Sequence, residues 1–140
     1  MAVVADSGAI YALYDLDDRH HRSVTAAVKR ERGPVVIPSV ISVEVDYLLR
    51  EFLGIDAELD FVDALISGGF ALEPPAASDL KRCRELIEQY RSLDLGLADA
   101  TVIATAERLG IERILTIDER HFRAVRPHSG RSFVLLPRDG

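Results

Sequence analysis

The sequence predicts an α/β fold: a mostly parallel central sheet of four to five short strands, covered by helices on both faces. Three observations predict it. Apolar runs of three or four residues recur along the chain, they alternate with longer amphipathic stretches of helical period, and the length of 140 residues suits one domain of roughly 150. Strand and helix signals in alternation build βαβ units, whose strands are buried on both faces and therefore read as unbroken apolar runs. Residues 1–140 are accordingly read as a single domain.

Residues 2–5 form the first run, which ends at Asp6, and Ser7-Gly8 opens a helix. Across residues 17–32, Val24, Ala27 and Val28 recur at i, i+3 and i+4 among charges, a surface helix that Gly33-Pro34 stops. Val35, Val36 and Ile37 are all β-branched and give the second strand. Pro38-Ser39 then opens a long helix, with Ser39 the expected N-cap and Val40, Val43, Tyr47, Leu48 and Phe52 along an apolar face up to Gly54. A helix over 56–66 closes at Gly68-Gly69, and residues 70–72 resemble a third strand. After Pro74-Pro75 a helix runs through Leu80, Leu86, Ile87 and Tyr90, and residues 95–109 make a small-residue helix ending at Gly110, the expected C-cap. Residues 114–117 are the fourth strand, ending at the acid Asp118, and residues 133–136 the last.

Composition narrows the function classes. With 48% hydrophobic and 29% charged residues the chain is ordinary globular material. A single cysteine, Cys83, can form neither an internal disulfide nor a multi-cysteine zinc site and fits a reducing compartment, so the expected location is the cytoplasm. The apolar start stops at Asp6, far short of a signal-peptide core, and no charge-free stretch approaches the ~18 residues of a membrane span. The net charge of −6 argues against simple adhesion to nucleic acid. Yet residues 119–138 hold five arginines and one acid, a local balance of +4 that leaves −10 for the rest. An acidic body with a basic segment beside it suits a polyanion held near a metal-loaded site, although on charge alone a solvated basic rim is the preferred reading.

Ligands of parallel sheets bind outside the carboxyl ends of the strands. Asp6 and Asp118 both occupy that edge. Asp99 sits in Leu97-Ala98-Asp99-Ala100-Thr101-Val102, where a lone buried carboxylate would be costly without a partner. Glu44, about one turn into the helix after the second strand, can lean over the same strand ends. Singly, each acid has an ordinary role as a cap or a helix residue. Together they gather like charges that repel unless a cation neutralises them, and an all-oxygen set suits Mg²⁺ or Mn²⁺ better than zinc. The expectation is a pocket small enough to cage such an ion, with the Ser7 and Thr116 hydroxyls as caps or donors to the acids. His20 and His21 are read as surface residues, and His121 and His128 as solvated or in contact with a phosphate.

These pieces, Val4-Ala5-Asp6-Ser7, Ile37-Pro38-Ser39 through Val43-Glu44, Leu97-Ala98-Asp99-Ala100 and Leu115 to Phe122, span almost the whole chain, with 38, 55 and 19 positions between successive acids. In this order and spacing the chain resembles PIN-domain proteins, specifically the VapC-type toxin endoribonucleases of toxin–antitoxin pairs. The resemblance implies a PIN-like three-layer sandwich and a small Mg²⁺- or Mn²⁺-dependent ribonuclease, usually a homodimer, held inactive by a cognate antitoxin. It implies that Asp6, Asp99, Asp118 and Glu44 serve the metal and catalysis. Arg120, Arg123 and Arg126 would position the RNA backbone.

Rival readings fit less well. A receiver-like phosphoacceptor domain needs a lysine after a late strand, and the two lysines, Lys29 and Lys81, lie in predicted helices. A phosphatase of the haloacid dehalogenase type needs an acid two residues after Asp6, where Gly8 stands. A non-catalytic interaction module would use the apolar helical faces between Val40 and Ile66, which dimerisation and antitoxin binding would also occupy.

Overall fold

The computed structural model describes residues 1–140. Its sheet contains β1 (Val3–Ala5), β2 (Val35–Pro38), β3 (Ala71–Glu73), β4 (Arg113–Leu115) and β5 (Val134–Leu136), ordered β3-β2-β1-β4-β5 with every neighbouring pair parallel. Successive strand residues face opposite sides. All three residues of β1 are buried, so both faces of this central strand are covered. The covering helices are α1 (Ser7–Tyr14), α2 (His21–Glu31), α3 (Ser39–Phe52), α4 (Ile55–Ser67), α5 (Ala77–Gln89), α6 (Leu97–Leu109) and the short α7 (Arg120–Ala124). This is the parallel, helix-covered α/β sheet that the apolar runs predict.

The chain leaves β1 toward β2 on one side, and β4 lies on the other. That arrangement opens a crevice at the carboxyl ends of β1 and β4, the place where such sheets take ligands.

Three local expectations need correction. β4 ends at Leu115, so Ile117 is outside the strand, and Asp118 stands three residues beyond β4 whereas Asp6 follows β1 directly. Ser39 is the first residue of α3 rather than its cap, because β2 stays paired through Pro38 and leaves no turn between strand and helix. The buried stripe of α3 is Ile41, Val45 and Leu49, while Val43, Tyr47 and Phe52 of the anticipated apolar face are exposed. Helix α3 carries apolar residues on more than one side, and spacing alone does not choose between them.

Three ion pairs hold α6, which carries Asp99. Arg108 of α6 donates to the buried Asp79 of α5 at 3.0 Å and also reaches Glu73, while Arg82 of α5 pairs with Glu107 of α6 at 2.7 Å. Helix α7 is held differently: it spans five residues, with Phe122 as its buried anchor. Removing that ring by Phe122→Ala is expected to cost about 3–5 kcal/mol, the usual loss for a fully buried aromatic. Urea denaturation measures this, and a loss below about 1 kcal/mol would show that α7 is not anchored through the core.

Candidate metal centre

Each acid reaches the crevice from a different element. Asp6 is the N-cap of α1, where its Oδ1 accepts the Ser7 N–H at 2.8 Å. Glu44 projects from α3 and accepts a hydrogen bond from the Ser7 hydroxyl at 2.8 Å, which ties α3 to the start of α1. Asp99 lies in the first turn of α6, and Asp118 in the loop between β4 and α7. All four acids and Ser7 line one open cleft of ≈ 470 Å³.

Thr116 joins Asp6 and Asp118. Its hydroxyl accepts the Asp118 N–H at 3.1 Å, and its own proton lies within reach of Asp6 Oδ2 at 3.3 Å and of the Asp118 carbonyl at 3.1 Å. Gly8 lets α1 approach this loop closely, since a Cβ there would stand 3.1 Å from the Ile117 side chain.

The electrostatics separate the acids. Burial pushes the Asp6 carboxyl up to about 6; the Ser7 N–H works against this, and the charges of Asp99 and Glu44 add to it. Asp99 is also raised by burial, with His121 and the Gly96 amide opposing and Glu44 reinforcing the shift. Asp118 is lowered because the exposed Arg120 holds its carboxylate, at 3.4 Å from Nε. The accessibilities agree: Asp6 is 9% exposed and the Asp118 side chain 46%. Two desolvated, mutually repelling carboxylates thus sit deepest, with a lower-pKa one at the mouth.

The expected cage is not closed. No three Asp, Glu, His or Cys side chains stand together closely enough to hold one ion among them. Mg²⁺ does not require such a set, because it dehydrates reluctantly, keeps several waters and is commonly bound through one or two carboxylates. A cleft whose only ionisable lining groups are four carboxylates therefore fits a hard, hydrated cation.

The five arginines of the basic segment are exposed, as a solvated rim would be, and three of them are ion-paired. Arg123 is bound between Asp139 and Glu119, both at 2.8 Å, Arg131 pairs with Glu112, and Arg120 with Asp118. Arg126 is exposed and makes no ion pair; only its backbone N–H is engaged, by the Tyr90 hydroxyl. One contact has no counterpart among the sequence expectations: Nδ1 of His121 lies 2.9 Å from Asp99 Oδ2. Its only signal in the sequence is the position of His121 three residues after Asp118. His21 likewise differs from a free surface residue, its Nδ1 lying 2.7 Å from the Ala12 carbonyl.

The PIN domain family model matches residues 3–126. This chain belongs to the PIN-domain family. A Mycobacterium tuberculosis protein, Ribonuclease VapC26, is 30% identical over 135 residues, covering 96% of this chain and 100% of that protein. The crystal structure of VapC20 of the same species, a Sarcin-Ricin loop cleaving toxin, superposes with a TM-score of 0.76 at 19% identity over 85% of this chain and 92% of that one. A toxin-antitoxin complex from Klebsiella pneumoniae gives 0.70 at 20% identity over 88% and 92%. Both structures share this PIN-domain fold.

The raised carboxyl of Asp6 makes stability depend on pH in the metal-free protein. Its folded pKa lies above the ordinary value of 3.8, so the folded state binds the extra proton and stability falls as pH rises from about 4 to about 6. Asp6→Asn keeps a good N-cap and removes that charge. It is expected to raise metal-free stability at pH 7 by roughly 2–3 kcal/mol, with the gain gone below about pH 4. Urea denaturation at both pH values in EDTA checks this, and a destabilised Asn variant at pH 7 would contradict it.

Proposed function

We propose that the protein is a VapC-type toxin: a Mg²⁺- or Mn²⁺-dependent endoribonuclease neutralised by a cognate antitoxin. The observation that carries the reading is the convergence of four carboxylates from four elements on one cleft at the sheet's carboxyl edge, in a PIN-domain chain similar along its length to a VapC ribonuclease. Asp6, Asp99 and Asp118 hold the ion directly or through water, and Glu44, tethered by Ser7, binds it or orients a water. A bound divalent ion supplies charge neutralisation at the phosphodiester and acidifies water. Hydrolysis adds water across the P–O3′ bond and leaves a 5′-phosphate and a 3′-hydroxyl. Ser7 and Thr116 keep their acids oriented, since hydrogen bonds to ligating carboxylates fix their geometry.

Exposed apolar residues along α3 and α4, among them Val43, Tyr47, Phe52, Ile55, Leu59 and Ile66, support protein partners for the same chain, the antitoxin and a second copy. Of the arginines proposed to position RNA, Arg126 is the one without an ion pair, Arg120 lies at the cleft mouth on Asp118, and Arg123 would have to leave Glu119 and Asp139.

Purified protein incubated with total cellular RNA and Mn²⁺ is expected to cleave it, with end-mapping giving 5′-phosphates. EDTA and Asp99→Asn each abolish the reaction. Cleavage by the Asn variant at the wild-type rate, or in EDTA, would refute the assignment. Arg126→Ala is expected to flatten the salt dependence of RNA binding by about one unit of log–log slope if it contacts one phosphate. An unchanged slope would remove Arg126 from the interface.

A further inference from the structure

Asp99 is held from behind. The Nδ1 atom of His121 stands 2.9 Å from Asp99 Oδ2, with the two side chains 22% and 23% exposed. Asp99 lines the acidic cleft and His121 does not. An ionised carboxylate can only accept a hydrogen bond, so the proton of this contact sits on Nδ1. The imidazole is carried by α7 next to the buried Phe122, in the same short segment that follows Asp118. One loop and helix therefore supply an acid at the cleft mouth and a brace for the acid of α6.

We propose that His121 is a positioning residue for metal capture, fixing the rotation of the Asp99 carboxylate through Nδ1 without touching the ion or the RNA. The inference rests on the reading of Asp99 as a ligand. A carboxylate free to rotate loses that freedom when it binds an ion, whereas one already held loses little. Asp99 needs this more than a ligand in a closed set would, because no three acids are drawn together to orient one another. Ser7 on Glu44 and Thr116 on Asp6 hold other acids in the same manner. His121 gives Asp99 an equivalent.

Calorimetric titration with Mn²⁺ alone, at one pH and on the full chain, tests this with wild type, Asp99→Asn, His121→Ala and His121→Asn. An asparagine places Nδ2 on Cγ, where histidine places Nδ1, and so keeps the donor without the ring. Partners that hold a ligand typically contribute 10–100-fold in metal affinity, so His121→Ala is expected to weaken Mn²⁺ at least about tenfold and His121→Asn to stay within about threefold of wild type. Should the alanine variant fail to fold, as judged by circular dichroism, His121→Gln, which moves the donor one carbon outward, replaces it with the same expected loss. Wild-type affinity in the alanine variant, beside lost binding in Asp99→Asn, overturns this proposal and leaves the metal site standing. Unchanged binding in Asp99→Asn overturns both. An asparagine variant as weak as the alanine one also overturns it, since the hydrogen-bond donor alone would then not account for the effect.

Discussion

Burying like charges at one edge of a sheet is the constraint around which this molecule is arranged. Asp6 and Asp99 are both desolvated and repel each other, and Glu44 adds to the repulsion. Such an arrangement opposes folding unless each carboxylate is partnered or neutralised. The chain supplies partial compensation acid by acid: the Ser7 amide and the Thr116 hydroxyl for Asp6, the Ser7 hydroxyl for Glu44, His121 for Asp99 and Arg120 for Asp118. The compensation is incomplete, as the elevated Asp6 carboxyl shows. In the proposed reading a divalent ion supplies the remainder, and the rest of the fold holds the acids at one cleft.

The supporting structure follows from the same requirement. Helix α6 brings Asp99 to the crevice, and its attachment to α5 through Arg108, Asp79, Arg82 and Glu107 limits how far that acid can withdraw. The Arg123 contacts to Glu119 and Asp139 fasten α7 to the chain terminus, and Asp139 in turn accepts the Leu135 N–H of β5. Arg123, which looks available for polyanion binding in the sequence, is thus engaged in holding this frame. A net charge of −6 gives little long-range attraction for a polyanion, so in the proposed reading recognition falls to the cleft and to a few groups at its rim.

Much of this is legible in the sequence for a definite reason. Strands buried on both faces leave unbroken apolar runs, and Asp6 stands out because it interrupts one. Asp99 is conspicuous among small apolar neighbours. Contacts between distant elements leave no local trace: the ladder that ends at Leu115 and moves Asp118 outward, the choice of Ile41, Val45 and Leu49 over Val43 and Tyr47 as the inner stripe of α3, and the meeting of His121 with Asp99 all depend on tertiary packing. The open spacing of the four acids belongs with these, since order along the chain tells which carboxylates share an edge but not how tightly they close.

A crystal of the protein grown with Mn²⁺ and examined by anomalous scattering is the most direct test of the metal site. The account predicts an ion peak in the cleft held by the carboxylates of Asp6 and Asp99, both directly or one of them through water. A peak bound by other residues, or a cleft with no anomalous density at saturating Mn²⁺, would contradict it.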